Sequence, residues 1–226
     1  MVSRDTNSSS PGSTESGEKS VGKRRGKAAK RKPLDEAGLR DLALSYAARY
    51  ATTGAKVEAY LARKIRERGV AEDADGRVRD LDVTGLVTRL IELGYVDDDA
   101  YARARSRDLT GRGYGKRRVE QALWAAGVEE EVRGNHAPSE AESRRAAILL
   151  AQKRGFGRFG RRIDPDAPAE VQRAAKEKQI AAMLRAGHDF DHVRFILDAS
   201  SVTDIEDWLA EAESDEADNR RESGSW

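Results

Sequence analysis

Few side chains of this sequence stand in patterns that could do chemistry. His188 and His192 lie four residues apart, a spacing that would place both on one helix face, where they could hold a metal ion. Asp189 and Asp191 are nearby, but no third ligand is obvious, and the motif with a glutamate between two histidines is absent. Residues 111–116 look like a phosphate-binding loop, but Arg117 stands where that motif needs Ser or Thr after its lysine. We therefore expect no metal, no cofactor and no nucleotide hydrolysis.

Three consecutive aspartates, Asp97, Asp98 and Asp99, are the strongest candidates for binding Mg²⁺. Consecutive carboxylates do not all face one side of a helix, however, and acidic residues are typical of helix N-termini. The sequence has no cysteine, which excludes a disulfide framework, a thiolate zinc site and a Cys nucleophile. The sequence thus predicts a protein without a catalytic site that works by binding another macromolecule.

Two groups of basic residues indicate where such a partner would bind. The groups are Arg112, Lys116, Arg117 and Arg118, and then Lys153, Arg154, Arg158, Arg161 and Arg162. Arg117, Gln121 and Trp124 share one helix face, and Phe156 and Phe159 are interleaved with the second group. Basic residues among aromatics favour contact with nucleic acid or an acidic protein surface. The alternative is a solvated surface with aromatics packed between units, which is our preferred interpretation for Trp124.

The elements that position these residues are predicted to be helices. Apolar residues recur at the 3.6-residue period, and no segment alternates with the period of a strand. Gly69, Gly127 and Gly187 each end a helix, and they lie 58 and 60 residues apart. This spacing predicts an all-α fold of tandem three-helix repeats that form an elongated, curved body with disordered tails. Ordinary punctuation of helices by glycine is the alternative.

The two ends of the chain differ from its middle in charge. Residues 1–32 hold nine Lys and Arg against three Asp and Glu, a net charge of +6, and residues 200–226 hold two against nine, a net charge of −7. Both ends are poor in large apolar side chains and are expected to be disordered. We predict a basic arm over 1–33, repeats over 34–94, 95–138 and 139–199, and an acidic tail over 200–226.

Neither secretion nor membrane insertion is expected. The N-terminus has no apolar signal region, and no apolar run approaches the ~20 residues of a membrane span. These features predict a cytoplasmic protein. The basic arm has two interpretations, nucleic-acid affinity through phosphate neutralisation or a solvated tail.

Several stretches occur together in an order that resembles the RecX family, regulatory proteins of the RecA recombinase. They are YLARK (60–64), GYVDDDAYA (94–102), RGYGKRRVEQALWAAGV (112–128), LAQKRGF (150–156) and MLRAG (183–187). The resemblance covers about residues 45–199. The family motif carries over to Tyr95, Asp97, Asp98, Gly113, Gly115, Arg118, Leu123, Gly127, Val128, Gly155 and Phe156.

This resemblance implies a helical, non-catalytic, monomeric protein. It further implies binding to RecA and to its filament on single-stranded DNA, with restraint of RecA's ATPase, strand exchange and co-protease activities. The chain departs from the family by an insertion around 71–80, by Ala186 and His188 on either side of Gly187, and by its charged ends. A sequence-tolerant DNA-binding protein, acting through the arm and the basic groups, is the alternative function.

Overall fold

The computed structural model describes residues 32–78, 80–160 and 166–223, and these residues form ten α-helices, one short 3-10 turn and no strand. The helices are α1 (Glu36–Ala47), α2 (Gly54–Arg68), α3 (Val83–Glu92), α4 (Asp98–Gly111), α5 (Lys116–Trp124), α6 (Glu130–Asn135), α7 (Glu140–Arg154), α8 (Ala169–Arg185), α9 (Phe190–Asp198) and α10 (Val202–Ser223), with the 3-10 turn at Gly157–Phe159. The predicted all-α fold is confirmed. The basic arm lies outside the described residues, apart from Lys32 and Pro33.

The helices begin where short polar side chains cap them. Asp35, Thr53, Asp82, Asp97 and Ser139 each precede a helix, and each accepts a hydrogen bond from a backbone N–H of its first turn. Each such cap satisfies one of the backbone donors that a helix start leaves unpaired. Among the described residues, no helix is long and apolar enough to cross a membrane.

Three separate hydrophobic cores follow one another along the chain. Helices α1–α3 enclose the first, around Leu39, Leu61 and Leu90. Helices α4–α6 enclose the second, around Leu123, and the third, around Met183, is built from α7 to α10. We call these groups of helices units 1, 2 and 3. Because each core is local to one unit, this is the organisation of tandem three-helix repeats, and unit 3 carries one additional helix.

The prediction of a disordered acidic tail from residue 200 is wrong over Val202–Ser223, which form α10. Ile205, Trp208, Leu209 and Ala212 follow helical spacing, and this stripe packs against the core of unit 3 or is buried. Because the same segment contains nine acidic residues, its overall composition looks like that of a polar, disordered tail and does not indicate the stripe. The third unit therefore extends beyond the predicted boundary at residue 199.

At the junction of units 1 and 2, the start of α2 lies against the end of α5. The Oγ of Thr53, a completely buried side chain, donates a hydrogen bond to the carbonyl of Ala126 at 2.5 Å. Gly127 has a positive φ of 74°, and a Cβ there would lie 2.3 Å from the Cβ of Ala55. Gly127 therefore does more than end a helix, because it also lets the two units approach closely.

At the junction of units 2 and 3, the start of α5 lies against the turn that follows α8. The backbone N–H of Gly115 donates to the carbonyl of Ala186 at 3.0 Å, and that of Arg117 donates to Gly187 at 3.2 Å. A Cβ on Gly115 would lie 2.3 Å from the carbonyl oxygen of Gly187. The direct contact of two backbones fixes the first turn of α5, which carries the first basic group.

Candidate partner-binding region

The basic residues of α5 occupy the end of a helix where positive charge is least favourable. Lys116, Arg117 and Arg118 form the first turn of α5, which has no acidic residue, and the N-cap Gly115 offers no side chain. The positive end of the helix dipole disfavours each exposed cation there by roughly 0.3–1 kcal/mol. All three side chains are exposed. Residues that lower the stability of a helix without a structural role are often residues that bind a partner.

The residues that the structure describes neutralise few of these cations. Arg118 donates to the Oε1 of Gln121 at 2.8 Å, and Arg112 lies 3.6 Å from a carboxylate oxygen of Asp108. Lys116 and Arg117 have no carboxylate partner among the described residues. Their charge is therefore available to phosphates or carboxylates of another molecule.

The two predicted basic groups meet where α7 ends. Lys153 donates from Nζ to the carbonyl of Arg112 at 3.3 Å, and Lys153 and Arg154 are both exposed. The turn at Gly113 makes this possible, because a Cβ there would lie 3.3 Å from the backbone nitrogen of Leu150. We use the name basic region for Arg112, Lys116, Arg117, Arg118, Lys153 and Arg154.

Trp124 belongs to this surface, contrary to the expectation that it packs between units. Trp124 is 68% exposed, whereas Leu123 beside it is completely buried. Arg117, Gln121 and Trp124 are all exposed along one side of α5, as their spacing predicts. An exposed Trp next to arginines is a common anchor in binding surfaces.

The remainder of the second basic group has a structural role where the structure describes it. Arg158 donates from Nε to the carbonyl of Ala199 at 2.7 Å and so ties the 3-10 turn to the end of α9. Phe156 and Phe159 pack against the core of unit 3, so the expectation that they accompany the cations to a partner is wrong. Arg161 and Arg162 lie outside the described residues.

The three aspartates after Val96 have structural partners, and one of them, Asp98, joins two units. Asp97 caps α4 through the N–H of Ala100, and Asp98 accepts from the N–H of Gly54 across the junction at 2.9 Å. Burial raises the pKa of Asp98, although the hydrogen bond from Gly54 opposes that change. Asp99 accepts from His136, and this contact, together with Arg103, lowers the pKa of Asp99.

Other residues of the family motif divide between core and surface. Leu123 and Val128 are buried in the core of unit 2, and Gly155 ends α7 in the left-handed conformation with φ 64°. Tyr95 is 58% exposed. Tyr95 is thus the one aromatic of these motif positions that is free for a partner within the described residues.

His188 and His192 each have a hydrogen-bonding neighbour at Nε2, whereas Nδ1 of His188 is buried without a partner among the described residues. His188 is 1% exposed and donates from Nε2 to the carbonyl of Gly113 at 3.0 Å. Nε2 of His192 lies 3.0 Å from the Oε1 of Glu140. Among the described residues, no group of three or more His, Asp or Glu side chains could hold a metal ion.

Sequence reasoning missed Arg185, an exposed residue in the last turn of α8. Its neighbour Ala186 accepts the hydrogen bond from Gly115, so Arg185 lies next to the first turn of α5. A cation in the last turn of a helix is common because it complements the helix dipole. Nothing in the sequence therefore set Arg185 apart, and only the contact between the units places it beside the basic region.

Comparison with known proteins agrees with these features. Residues 97–133, which include α4 and α5, match the family model described as RecX, second three-helix domain. The chain is 30% identical to the regulatory protein RecX of Myxococcus xanthus over 166 residues, which are 72% of this chain and 85% of that protein. It is 32% identical to the regulatory protein RecX of Agrobacterium fabrum, over 52% of this chain and 59% of that one.

A solved structure shares the fold. The crystal structure of RecX from Lactobacillus salivarius matches with a TM-score of 0.51 over 72% of this chain and 96% of that chain. The two sequences are 19% identical over this match, so the likeness concerns the arrangement of helices.

Proposed function

Because this chain belongs to the RecX family of regulatory proteins, we propose that it binds the RecA recombinase and its filament on single-stranded DNA. In this proposal the protein is a non-catalytic cytoplasmic monomer. It mainly inhibits RecA, lowering ATP hydrolysis, strand exchange and co-protease activity.

The exposed first turn of α5 is the observation that connects this proposal with particular residues. Lys116, Arg117 and Arg118 stand where the helix dipole disfavours them, and Trp124 lies exposed on the same helix. We assign to this region the contact with the filament, through acidic side chains of the recombinase or through DNA phosphates. Arginine suits either acceptor, since its guanidinium can donate two parallel hydrogen bonds.

Direct DNA binding without RecA is the second candidate. The lack of carboxylate partners for Lys116 and Arg117 in the described part of the chain suits phosphates equally well, and the arm of residues 1–32 adds a net charge of +6. The two functions differ in stoichiometry. A filament regulator suppresses ATP hydrolysis at amounts well below one per RecA, whereas a simple DNA binder must coat the DNA.

The test is the double change Arg117→Glu with Arg118→Glu. The loss of charged contacts at a buried interface costs about 2–5 kcal/mol, so inhibition of RecA ATPase should weaken by more than tenfold. The variant should be at least as stable as the wild type, because both side chains are exposed and the helix dipole favours negative charge in this turn.

The matched control is Arg63→Glu with Arg66→Glu on α2, which changes the net charge equally at exposed positions in unit 1. This control should inhibit RecA like the wild type. If the α5 variant also inhibits at wild-type concentrations, the first turn of α5 is not the contact. If both variants lose inhibition equally, net charge and not a local contact is responsible.

A further inference from the structure

Helix α10 occupies a groove between the first and third helices of unit 3. The ring of Trp208 stacks on Phe195 of α9, with 4.6 Å between centroids, and meets His192 edge-on at 5.3 Å. The guanidinium of Arg144 on α7 lies 4.5 Å from the Trp208 ring and donates to the Trp208 carbonyl at 2.6 Å. It also donates to Glu211, one turn further along α10, at 3.2 Å. An acidic amphipathic helix thus fills this groove.

Unit 1 has a groove at the corresponding place, and no described residue fills it. It lies between α1 and α3, has a volume of about 660 Å³, and is mainly apolar on its floor. Leu39, Leu44, Leu86, Leu90 and Leu93 line it. The charged residues at its rim are Arg40 on α1 and Arg89 on α3, with the acidic Glu36 and Asp82 at the starts of these two helices.

The first helices of the two units correspond residue by residue. Both α1 and α7 begin with Glu-Ala directly after a capping residue. This alignment pairs the completely buried Ala43 with the completely buried Ala147. It also pairs Arg40 with Arg144, the residue that holds α10. Among the described residues Arg40 has no partner, whereas Arg144 binds both Trp208 and Glu211.

The third helices correspond by their buried positions. Val87 and Leu90 of α3 are buried three residues apart, as are Val193 and Ile196 of α9. In this register the two residues of α9 that contact Trp208 have counterparts in α3 that line the open groove. These counterparts are Leu86 for His192 and Arg89 for Phe195.

We propose that the α1/α3 groove of unit 1 binds an acidic amphipathic helix of a partner protein, in the manner in which the α7/α9 groove binds α10. The partner helix places an aromatic residue over Leu86 and a carboxylate one turn later against Arg40. The pattern of recognition is the spacing i, i+3, i+4 and i+7 that Ile205, Trp208, Leu209 and Ala212 show in α10.

The chain does not supply the occupant itself. Residues 1–32 carry nine cations and only three large apolar residues, Met1, Val2 and Val21, so they provide neither the stripe nor the negative charge. Helix α10 is already held in unit 3. The inference does not depend on RecA as the partner, and its test contains no RecA.

The probe is a fluorescein-labelled peptide with the sequence of residues 202–219, titrated with the full chain and followed by fluorescence anisotropy. We expect saturable binding, weakened at least about tenfold by Arg40→Glu, which removes the charge that faces the carboxylate. Arg63→Glu on α2, outside the groove, should bind like the wild type. A peptide with Trp208→Ala should bind at least about tenfold more weakly than the unchanged peptide.

Three results would overturn the proposal. The first is no binding up to about 1 mM peptide, where the free energy of binding is only about −4 kcal/mol. The second is binding that survives Arg40→Glu but is lost with Arg144→Glu, since the peptide would then be exchanging into the α7/α9 groove. The third is self-association of the wild type in sedimentation that Arg40→Glu abolishes, because the occupant would then be a second copy of this chain.

Discussion

At both junctions between units, a glycine at the end of one unit's second helix lies against the start of the preceding unit's second helix. At the first junction the buried hydroxyl of Thr53 donates to the carbonyl of Ala126, just before Gly127. At the second junction the backbone N–H of Gly115 donates to the carbonyl of Ala186, just before Gly187. The same position of the repeat thus makes the same contact, once through a side chain and once through the backbone.

This difference determines how much change each junction can tolerate. At the first junction the obstacle to a side chain on Gly127 is the methyl group of Ala55, which can be removed by substitution. At the second junction the nearest atoms to a side chain on Gly187 include the backbone nitrogen of Arg118 at 2.4 Å, which cannot be removed. The second junction also fixes the first turn of α5, so its geometry matters for the proposed binding region.

The largest effect is expected for Gly187→Ala. The new Cβ would overlap the backbone of Arg118, and the positive φ of 90° would add strain for any residue with a side chain. Strain of this kind costs about 1–3 kcal/mol, and overpacking adds about 1–3 kcal/mol. We expect a loss of about 3 kcal/mol or more in urea denaturation, accompanied by loss of RecA inhibition. A loss of stability below about 1 kcal/mol would show that the backbones at this junction can move apart to accommodate the new Cβ.

The next effect concerns Gly127→Ala, for which rescue should be possible. Alone, this change should cost about 2–4 kcal/mol, because the new Cβ meets Ala55 at 2.3 Å and φ is 74°. Adding Ala55→Gly removes the obstacle at a cost of up to about 1 kcal/mol for glycine in a helix. The double variant should be more stable than the single one in a denaturation cycle. Additive effects would mean that these two residues do not oppose each other.

A smaller effect is expected for Thr53→Ala at the first junction. This change removes the cap of α2 and leaves the carbonyl of Ala126 without its donor. Together these losses should destabilise the protein by about 2 kcal/mol. The matched control is Thr84→Ala on the exposed side of α3, which should change stability by less than about 0.5 kcal/mol. Equal effects of the two changes would contradict the role of Thr53.

Much of this architecture could be predicted from the sequence, because the residues at the ends of a helix are local signals of where it begins and ends. Thr53 and Ser139 are capping residues, and Gly127 and Gly187 follow the last turn of a helix, so the repeat could be predicted from spacing. The close approach of two units at these glycines could not be predicted from spacing, since it depends on which helix lies opposite. Periodicity also predicted that Trp124 and Leu123 face different sides of α5, but it could not predict that the described units leave Trp124 exposed.

The C-terminal helix shows why composition misled. In α10 the apolar stripe consists of only four residues, and the same helix carries nine carboxylates. Some of these carboxylates have partners on α7, where Arg145 pairs with Glu213 and the N–H of Ala141 donates to Glu216. Long-range pairing of this kind leaves no local mark in a sequence. The same pairing makes it possible to recognise the groove of unit 1 that no described residue fills.

The smallest effect is expected from pH, and it should separate the two junctions. Burial lowers the pKa of His188 at the second junction, opposed by its hydrogen bond to the Gly113 carbonyl; His192 lowers the pKa further and Asp189 raises it. The neutral form is therefore the one the fold favours, and its contribution to stability is complete above the ordinary pKa of about 6.5. This contribution is lost as the pH falls from there through the lowered pKa, by at most about 1.4 kcal/mol per pH unit for one proton.

The first junction should respond in the opposite direction. The pKa of Asp98 is raised by burial, so the folded protein takes up that proton more readily than the unfolded chain, and acidification does not destabilise the fold through Asp98. Amide exchange can report both junctions, through the N–H groups of Gly115 and Arg117 at the second and that of Gly54 at the first. Between pH 7.5 and 5.5, protection corrected for intrinsic exchange should fall at the second junction only. His188→Gln, whose amide nitrogen takes the place of Nε2 and can still donate to Gly113, should abolish this fall, and parallel loss at both junctions would mean that acid loosens the whole fold.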